Sequence, residues 1–482
     1  MAFWNRTKSF AAATSRDTHS ALKPTLSWVH LIGLGVGGIV GTGILTLTGV
    51  GAGVAGPAVI VSFVMAGVIC ACAALAYAEM ATMMPLAGSA YTYTYVALGE
   101  LLAWVVGWTL ILEYTVVCST VAVGWSGYAA GVIKSFGWPV PDSLLAGPEA
   151  GGLINLPAIV ISLAVAGLLA LGSRESTIVN LVLVIVKLLA LAMFVAIALP
   201  AFDIGNFEPF APFGWGSTEI EGGNKGVWAA ASIIFFAFYG FDAVSTAAEE
   251  TRNPKRDLKI GIVGSMVACT IIYMVVATAA LGGAKYTDLA ASGEPLAMVL
   301  RVLNHPFAAT VLGAAAVIAL PTVIMAFMYG QSRIFFVMAR DGLLPQRLSR
   351  VHPRFGTPAL MTMITGVIVA AIAAYLPLKE IAALANAGTL IAFIAVAVCM
   401  IVLRMKHPQH PRIFGAVTTW IIGLLAIVGC IFLFFGLPHI TKRNALIWNA
   451  VGLVIYLLWA RRKSLLEPGA GREKAGKLSN AP

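Results

Sequence analysis

Four ionisable side chains stand inside long apolar runs: Glu79, Glu113, Lys187 and Asp242. A charge in a hydrocarbon surround is costly, so such residues persist where a function or a partner holds them. Lys187 lies midway along NLVLVIVKLLALAMFV, which is apolar on every side. Too deep to snorkel to an interface, it could take and release a proton, or form a structural ion pair with Glu113 or Asp242. Glu113, in WTLILEYTVVCST, could hold a cationic ligand group or anchor tyrosine and backbone groups. Asp242 would cap a restarting helix, because a carboxylate is favoured at a helix N-terminus; direct ligand contact is the other reading. Glu79, near the end of its run, reads as a gate or an anchor.

Two glycine-bearing stretches stand close to these charges. The first apolar run, GLGVGGIVGTGILTLTGVGAG, holds Gly41-Thr42-Gly43 near its middle. Close helix packing through small residues explains isolated glycines, but not this triplet at mid-span. Gly33-x-Gly35-x-x-Gly38 matches a dinucleotide fingerprint but lacks the surrounding βαβ unit that would give it meaning. The sixth run, SIIFFAFYGFDAVSTAAEE, sets Gly240 beside Asp242 after an aromatic series. Both stretches are expected to interrupt their helices. An unwound turn frees N–H and C=O groups, which cost several kcal/mol each in hydrocarbon unless something binds them. A zwitterion fits: its carboxylate would accept N–H bonds around Thr42, Gly43 and Ile44, and its ammonium would donate to freed carbonyls. Among the aromatics Phe235, Phe236, Phe238, Tyr239 and Phe241, one could act as a lid. Met325 and Phe327 are candidates for a side-chain pocket, with ordinary helix packing as the alternative.

The elements that must position these residues follow from composition. The chain has 482 residues, 59% hydrophobic and only 11% charged, with a mean hydropathy of +0.90. Soluble domains carry about 25% charged residues, so a soluble or disordered protein is excluded. Continuous apolar runs exclude an outer-membrane barrel. An all-α polytopic membrane protein remains, with twelve transmembrane helices expected at 28–54, 57–82, 101–132, 154–172, 177–199, 226–249, 260–282, 306–337, 358–376, 380–403, 414–437 and 444–461. With the N-terminus in the cytoplasm, 23 of the Lys and Arg residues fall on the cytoplasmic side and 7 on the other, Lys187 being the remainder. That asymmetry orients both termini inward. The net charge of +10 is thereby accounted for without nucleic acid. The first 27 residues lack an apolar core, so no cleavable signal is expected. The tail 466–482 reads as disordered.

The interruptions open corresponding five-span sets, the pattern of an inverted-repeat secondary transporter with a midplane site. The expected organisation is a cytoplasmic tail (1–27), a first repeat (28–200), an outer loop (201–225), a second repeat (226–404), two peripheral helices (405–465) and the final tail.

GTGI in the first span, AGSAYTYTYVALGELLAWVVGWTLILEY through the third, GFDAVSTAAEETRNPKRDLKIGI after the sixth break and ARDGLLP after the eighth resemble the amino acid–polyamine–organocation superfamily. The closest likeness is to bacterial members of its cationic amino acid transporter subgroup. The resemblance spans about residues 25–465. It implies the LeuT-like 5+5 inverted-repeat fold with discontinuous helices 1 and 6, alternating access, and an L-amino acid substrate in a bacterial inner membrane. It also implies that Gly41, Thr42 and Gly43 hold the α-carboxylate. Carbonyls near Ile39 and those of Phe236, Ala237 and Tyr239 would hold the α-ammonium, with Phe236 as the lid. Lys187 would stand where sodium sits in sodium-coupled relatives, lined by Thr322 and a first-span carbonyl, making the proton the coupling ion with no other cofactor. Glu113 does not separate cationic from neutral substrates, whereas the bulk of Phe327 favours neutral or mid-sized ones.

Other classes fare worse. The seven histidines lie near span ends or in loops, so no enzyme constellation forms. The six cysteines fall inside apolar runs and read as packing, without disulfides or metal. A channel would want a filter ring or repeated polar pore-lining helices. Exchange without proton coupling, and a sensor that binds without transport, stay open.

Overall fold

The computed structural model describes residues 6–10, 26–84, 88–172, 177–220, 223–246, 251–345, 348, 352 and 357–464. The expected disordered tail from 466, most of the N-terminal tail, Arg174, Arg347, Arg350 and Arg354 lie outside the described residues.

All twelve expected spans are present. Span 1 is divided into Trp28–Ile39, Thr42–Leu45 and Leu47–Ala55. Spans 2 to 5 are Val59–Met83, Glu100–Ser135, Leu156–Ala170 and Thr177–Ala198. Span 6 runs Val227–Ile234, tightens to a 3₁₀ turn at Phe235–Phe238, and resumes at Asp242–Thr246. Span 7 is Pro254–Gly283; span 8 is Pro306–Ala319 continued by Pro321–Arg340. Spans 9 to 11 are Ala359–Tyr375, Leu378–Lys406 and Ala416–Gly436. Span 12 begins at His439 and passes through a wide turn at Tyr456–Ala460 to Lys463. It starts earlier than the expected 444, because Lys442 bends back to the Phe435 carbonyl (3.0 Å) and keeps its charge at the surface. Spans 7 and 8 open on proline at the first helical position, where a missing N–H costs nothing. Asn155 caps span 4, accepting from the Ala158 N–H at 3.1 Å and donating to Ser126 of span 3 at 2.7 Å.

The packing has two-fold logic. Spans 2 and 7, 3 and 8, and 4 and 9 pack on one another. Span 1 packs on span 7 as span 6 packs on span 2; span 3 packs on span 10 as span 8 packs on span 5. Exchanging each span with the one five later maps these contacts onto each other, as an internal repeat requires.

Short elements missed in the sequence fill the loops. Ser89–Ala97 is a fully buried helix before span 3. At the end of the bundle opposite the termini, Tyr286–Ala291 and Pro295–Val302 form a helical hairpin, and β1 (Thr218–Ile220) pairs antiparallel with β2 (Gly223–Lys225). The helical hairpin seats between two glycine pairs: a Cβ at Gly49 or Gly53 of span 1 would meet Leu289 or Ala290, and one at Gly127 or Gly131 of span 3 would meet Gly293 or Glu294. Helices of six to nine residues leave too few periods for a pattern to be read.

At the other end Arg6 meets the end of span 12. The buried Glu100 carboxylate lies 3.6 Å from the Arg6 guanidinium and accepts from Tyr95 (3.0 Å), Tyr456 (2.9 Å) and Ser464. Arg6 also donates to the Arg461 carbonyl at 3.1 Å.

Candidate binding site between two interrupted spans

The first helix segment ends at Ile39. Val40 turns extended (φ −73°, ψ 96°), Gly41 follows (φ −150°, ψ −143°), and helix restarts at Thr42. The last carbonyls before this break lose their i+4 N–H partners. Two of them are taken by other spans. Gly37 O accepts from Lys187 Nζ of span 5 at 3.1 Å, and Ile39 O accepts from the Tyr273 hydroxyl of span 7 at 2.6 Å. Beyond the break, Leu45 O accepts from the Tyr128 hydroxyl of span 3 at 2.6 Å.

Span 6 breaks at the expected residue. Tyr239 is extended (φ −92°, ψ 169°), and Gly240 has φ +116°, a region that favours glycine. Asp242 stands at the first position of the restarting helix. Its Oδ1 accepts from the Gly240 N–H and its Oδ2 from the Tyr114 hydroxyl, both at 3.2 Å. It stands at the head of the restarting helix as the sequence suggested, and these two bonds tie it to the break before the helix and to span 3.

The two breaks touch. A Cβ at Gly240 would lie 2.6 Å from the carbonyl carbon of Gly38. One at Gly43 would lie 2.6 Å from Ala237 Cβ. Between them is a small, partly open cavity. Span 1 supplies Gly38, Ile39, Gly41, Thr42 and Gly43, and span 6 supplies Phe236 and Tyr239. Val117 and Val121 of span 3 and Val323 and Phe327 of span 8 close the rest. One end is thus backbone and hydroxyl, and the other is aliphatic and aromatic. The Thr42 hydroxyl is buried there without a hydrogen-bond partner.

The other expected residues stand around this cavity rather than in its wall. Ile44, Ala237 and Met325 are not among the residues that line it. Glu113, 2% exposed, faces Gly388 of span 10, and its Oε2 has no hydrogen-bond partner. Lys187 is buried beside the first break. Thr322 is buried, and its hydroxyl donates to the Ala319 carbonyl at 2.7 Å. Glu79 is remote, at the terminal end, in an ion pair with Arg412 at 3.0 Å, and it also accepts from Thr419. It is an anchor between span 2 and the loop before span 11. Gly35, part of the dismissed fingerprint, packs against Ser265 of span 7.

Val117, Val121 and Val323 were missed in the sequence. Their signal was helical spacing: Val117 and Val121 follow Glu113 at successive fourth positions, and Val323 precedes Phe327 by four. Tyr273, Tyr128 and Asn386 were also missed. They are uncharged polar residues in apolar spans, which a search for charges passes over.

The sequence profile of the amino acid permease family matches residues 26–459. The branched-chain amino acid permease BcaP of Bacillus subtilis (strain 168) is 44% identical over 459 residues, covering 94% of this chain and 96% of its own length. The methylthioribose transporter of the same organism is 39% identical over 464 residues, covering 96% and 98%. The vacuolar cationic amino acid transporter 4 of Arabidopsis thaliana is 35% identical over 403 residues, covering 82% of this chain and 65% of its own.

Proposed function

Since the chain belongs to the amino acid permease family, an integral membrane family of amino acid transporters, we propose that it carries L-amino acids with small or mid-sized apolar side chains, branched-chain ones among them, driven by the proton gradient. The aliphatic end of the cavity carries this reading. Val117, Val121, Val323 and Phe327 offer no charge to a cationic side chain. The name of the B. subtilis branched-chain permease agrees.

In this reading the α-carboxylate accepts from the N–H groups at Gly41–Gly43 and from the Thr42 hydroxyl, which otherwise has no partner. The α-ammonium donates to carbonyls of Phe236, Ala237 and Tyr239, and to the remaining lone pair of Ile39 O. Phe236 closes over the bound molecule. The protonated Lys187 ammonium braces the end of the first helix segment through Gly37 O; losing that proton releases the brace and couples transport to the gradient. In this reading both termini lie in the cytoplasm of a bacterium, the orientation supported by the positive-inside count, and the substrate passes by alternating access.

Uptake of labelled amino acids into liposomes, with and without an imposed inward proton gradient, tests the proposal. The panel contains leucine, valine, alanine, arginine and methylthioribose. Gradient-dependent accumulation of leucine or valine is expected. Uptake that needs only internal amino acid would make the protein an exchanger, and preferential arginine or methylthioribose uptake would overturn the substrate assignment.

A further inference from the structure

The 3₁₀ turn of span 6 leaves backbone carbonyls unpaired on the side away from the cavity. The last four carbonyls of an α-helix lack intrahelical partners; for Val227–Ile234 these include Ser232 and Ile233. Asn386 of span 10, which is fully buried, takes both. Its Nδ2 donates to Ser232 O at 2.7 Å and to Ile233 O at 2.9 Å. Its Oδ1 accepts from the Tyr239 hydroxyl at 2.6 Å. Only this orientation of the amide works, because carbonyls accept and the phenol donates.

One side chain thus fixes both ends of the unwound stretch. It caps the helix before Phe235–Phe238 and holds Tyr239, the extended residue that follows and that lines the cavity. We propose that Asn386 is a positioning residue for substrate: it sets where the carbonyls of Phe236, Ala237 and Tyr239 point without touching the substrate itself. Span 10 is thereby made part of the binding apparatus. The proposal rests on the amino acid reading of the cavity given above.

The neighbouring chemistry makes the bond set demanding. Two carbonyl oxygens and a hydroxyl buried in an apolar bundle have no water to turn to. An apolar residue at 386 would remove the side-chain partner of all three, and the stretch would re-form to find new ones. Aspartate would set a second acceptor against two carbonyl oxygens.

The test measures leucine affinity by calorimetry and uptake kinetics in liposomes for three variants: Asn386→Leu, Tyr239→Phe and the double variant. Asn386→Leu is expected to weaken leucine affinity and raise KM by about tenfold or more, with a smaller change in maximal rate. Tyr239→Phe keeps the ring and removes one of the three bonds; a threefold to fivefold loss is expected, on the order of one neutral hydrogen bond. In the Asn386→Leu background that same change should have no further effect. Asn386→Leu that elutes and melts like the wild type and binds leucine with unchanged affinity would overturn the proposal. If Asn386→Leu does not fold, Tyr239→Phe decides alone, and unchanged affinity there overturns it. A wild-type protein that binds no amino acid would sink the reading of the cavity instead, a result separable from either.

Discussion

Two glycines, Gly41 and Gly43, sit in the same triplet at the first break, yet they should respond oppositely to a methyl group. A Cβ at Gly43 would lie 2.6 Å from Ala237 Cβ and 3.3 Å from Ala237 N. Carbon atoms rest at about 3.5–4.0 Å, so spans 1 and 6 would have to part by about 1 Å. The obstacle is backbone rather than the end of a flexible side chain, so the strain cannot be relieved by a rotamer change. Overpacking of this kind costs about 1–3 kcal/mol. Felt at the cavity, that is roughly a 5- to 150-fold loss of affinity. At Gly41 the nearest atom would be Val323 Cγ2 at 3.5 Å, ordinary contact, and φ −150° is open to any residue. Gly41→Ala should stay within about 0.5 kcal/mol of wild type. Calorimetric titration of purified protein with leucine, beside a thermal melt of each variant, reads the difference. If the two variants bind alike, or if Gly41→Ala is the weaker, the abutment of the breaks described above is wrong.

Phe327→Ser should extend the substrate range toward longer side chains, with about fourfold better affinity per added methylene that fits; an unchanged uptake panel would remove Phe327 from the specificity pocket. Lys187→Ala should abolish accumulation driven by a pH gradient while leaving exchange intact; normal gradient-driven uptake would end the proton role. Glu294, at the tip of the helical hairpin, has one carboxylate oxygen held by Arg301 at 2.6 Å and the other buried without a partner against span 3. Burial raises its carboxyl above the usual range, the Arg301 guanidinium and Lys134 only partly offsetting it. A group that binds its proton more readily when docked than when free favours docking as pH falls. The exchange protection of residues 286–302, taken against the intrinsic amide rate at each pH, should therefore rise from pH 8 to pH 5, and Glu294→Gln should flatten that dependence; identical protection profiles would refute it.

Much of this site was legible because its chemistry contradicts its surroundings. A charge or a glycine triplet in an apolar run needs an explanation, so Lys187, Asp242, Gly41–Gly43 and Gly240 stood out. Of the two pocket candidates on the eighth span, Phe327 lines the cavity and Met325 does not. The valines that complete the wall were invisible, since Val117 in a spanning helix is what any lipid-facing helix would carry. Glu113 shows the reverse. Its charge drew attention to the right helix face, but the side chain points to span 10 and the cavity opens one turn further on. The hairpin at 286–302 escaped because its helices are too short for periodicity, although the glycines that receive it were plain in the sequence.

The breaks are stabilised by donors that other spans bring to several carbonyls around them. Gly37 is served by Lys187 of span 5, Ile39 by Tyr273 of span 7, Leu45 by Tyr128 of span 3, and Ser232 and Ile233 by Asn386 of span 10. Phe238 O receives the weaker thiol of Cys70 in span 2 at 3.5 Å. An unpaired carbonyl in an apolar interior costs several kcal/mol, so these donors are what let a broken helix persist without a ligand. They also direct where a ligand binds. The backbone turned away from the cavity is already satisfied, and the buried hydroxyl of Thr42, a residue that lines the cavity, is not. Recognition is therefore confined to one side of each break, and movement of any of these spans shifts a donor and with it the shape of the site.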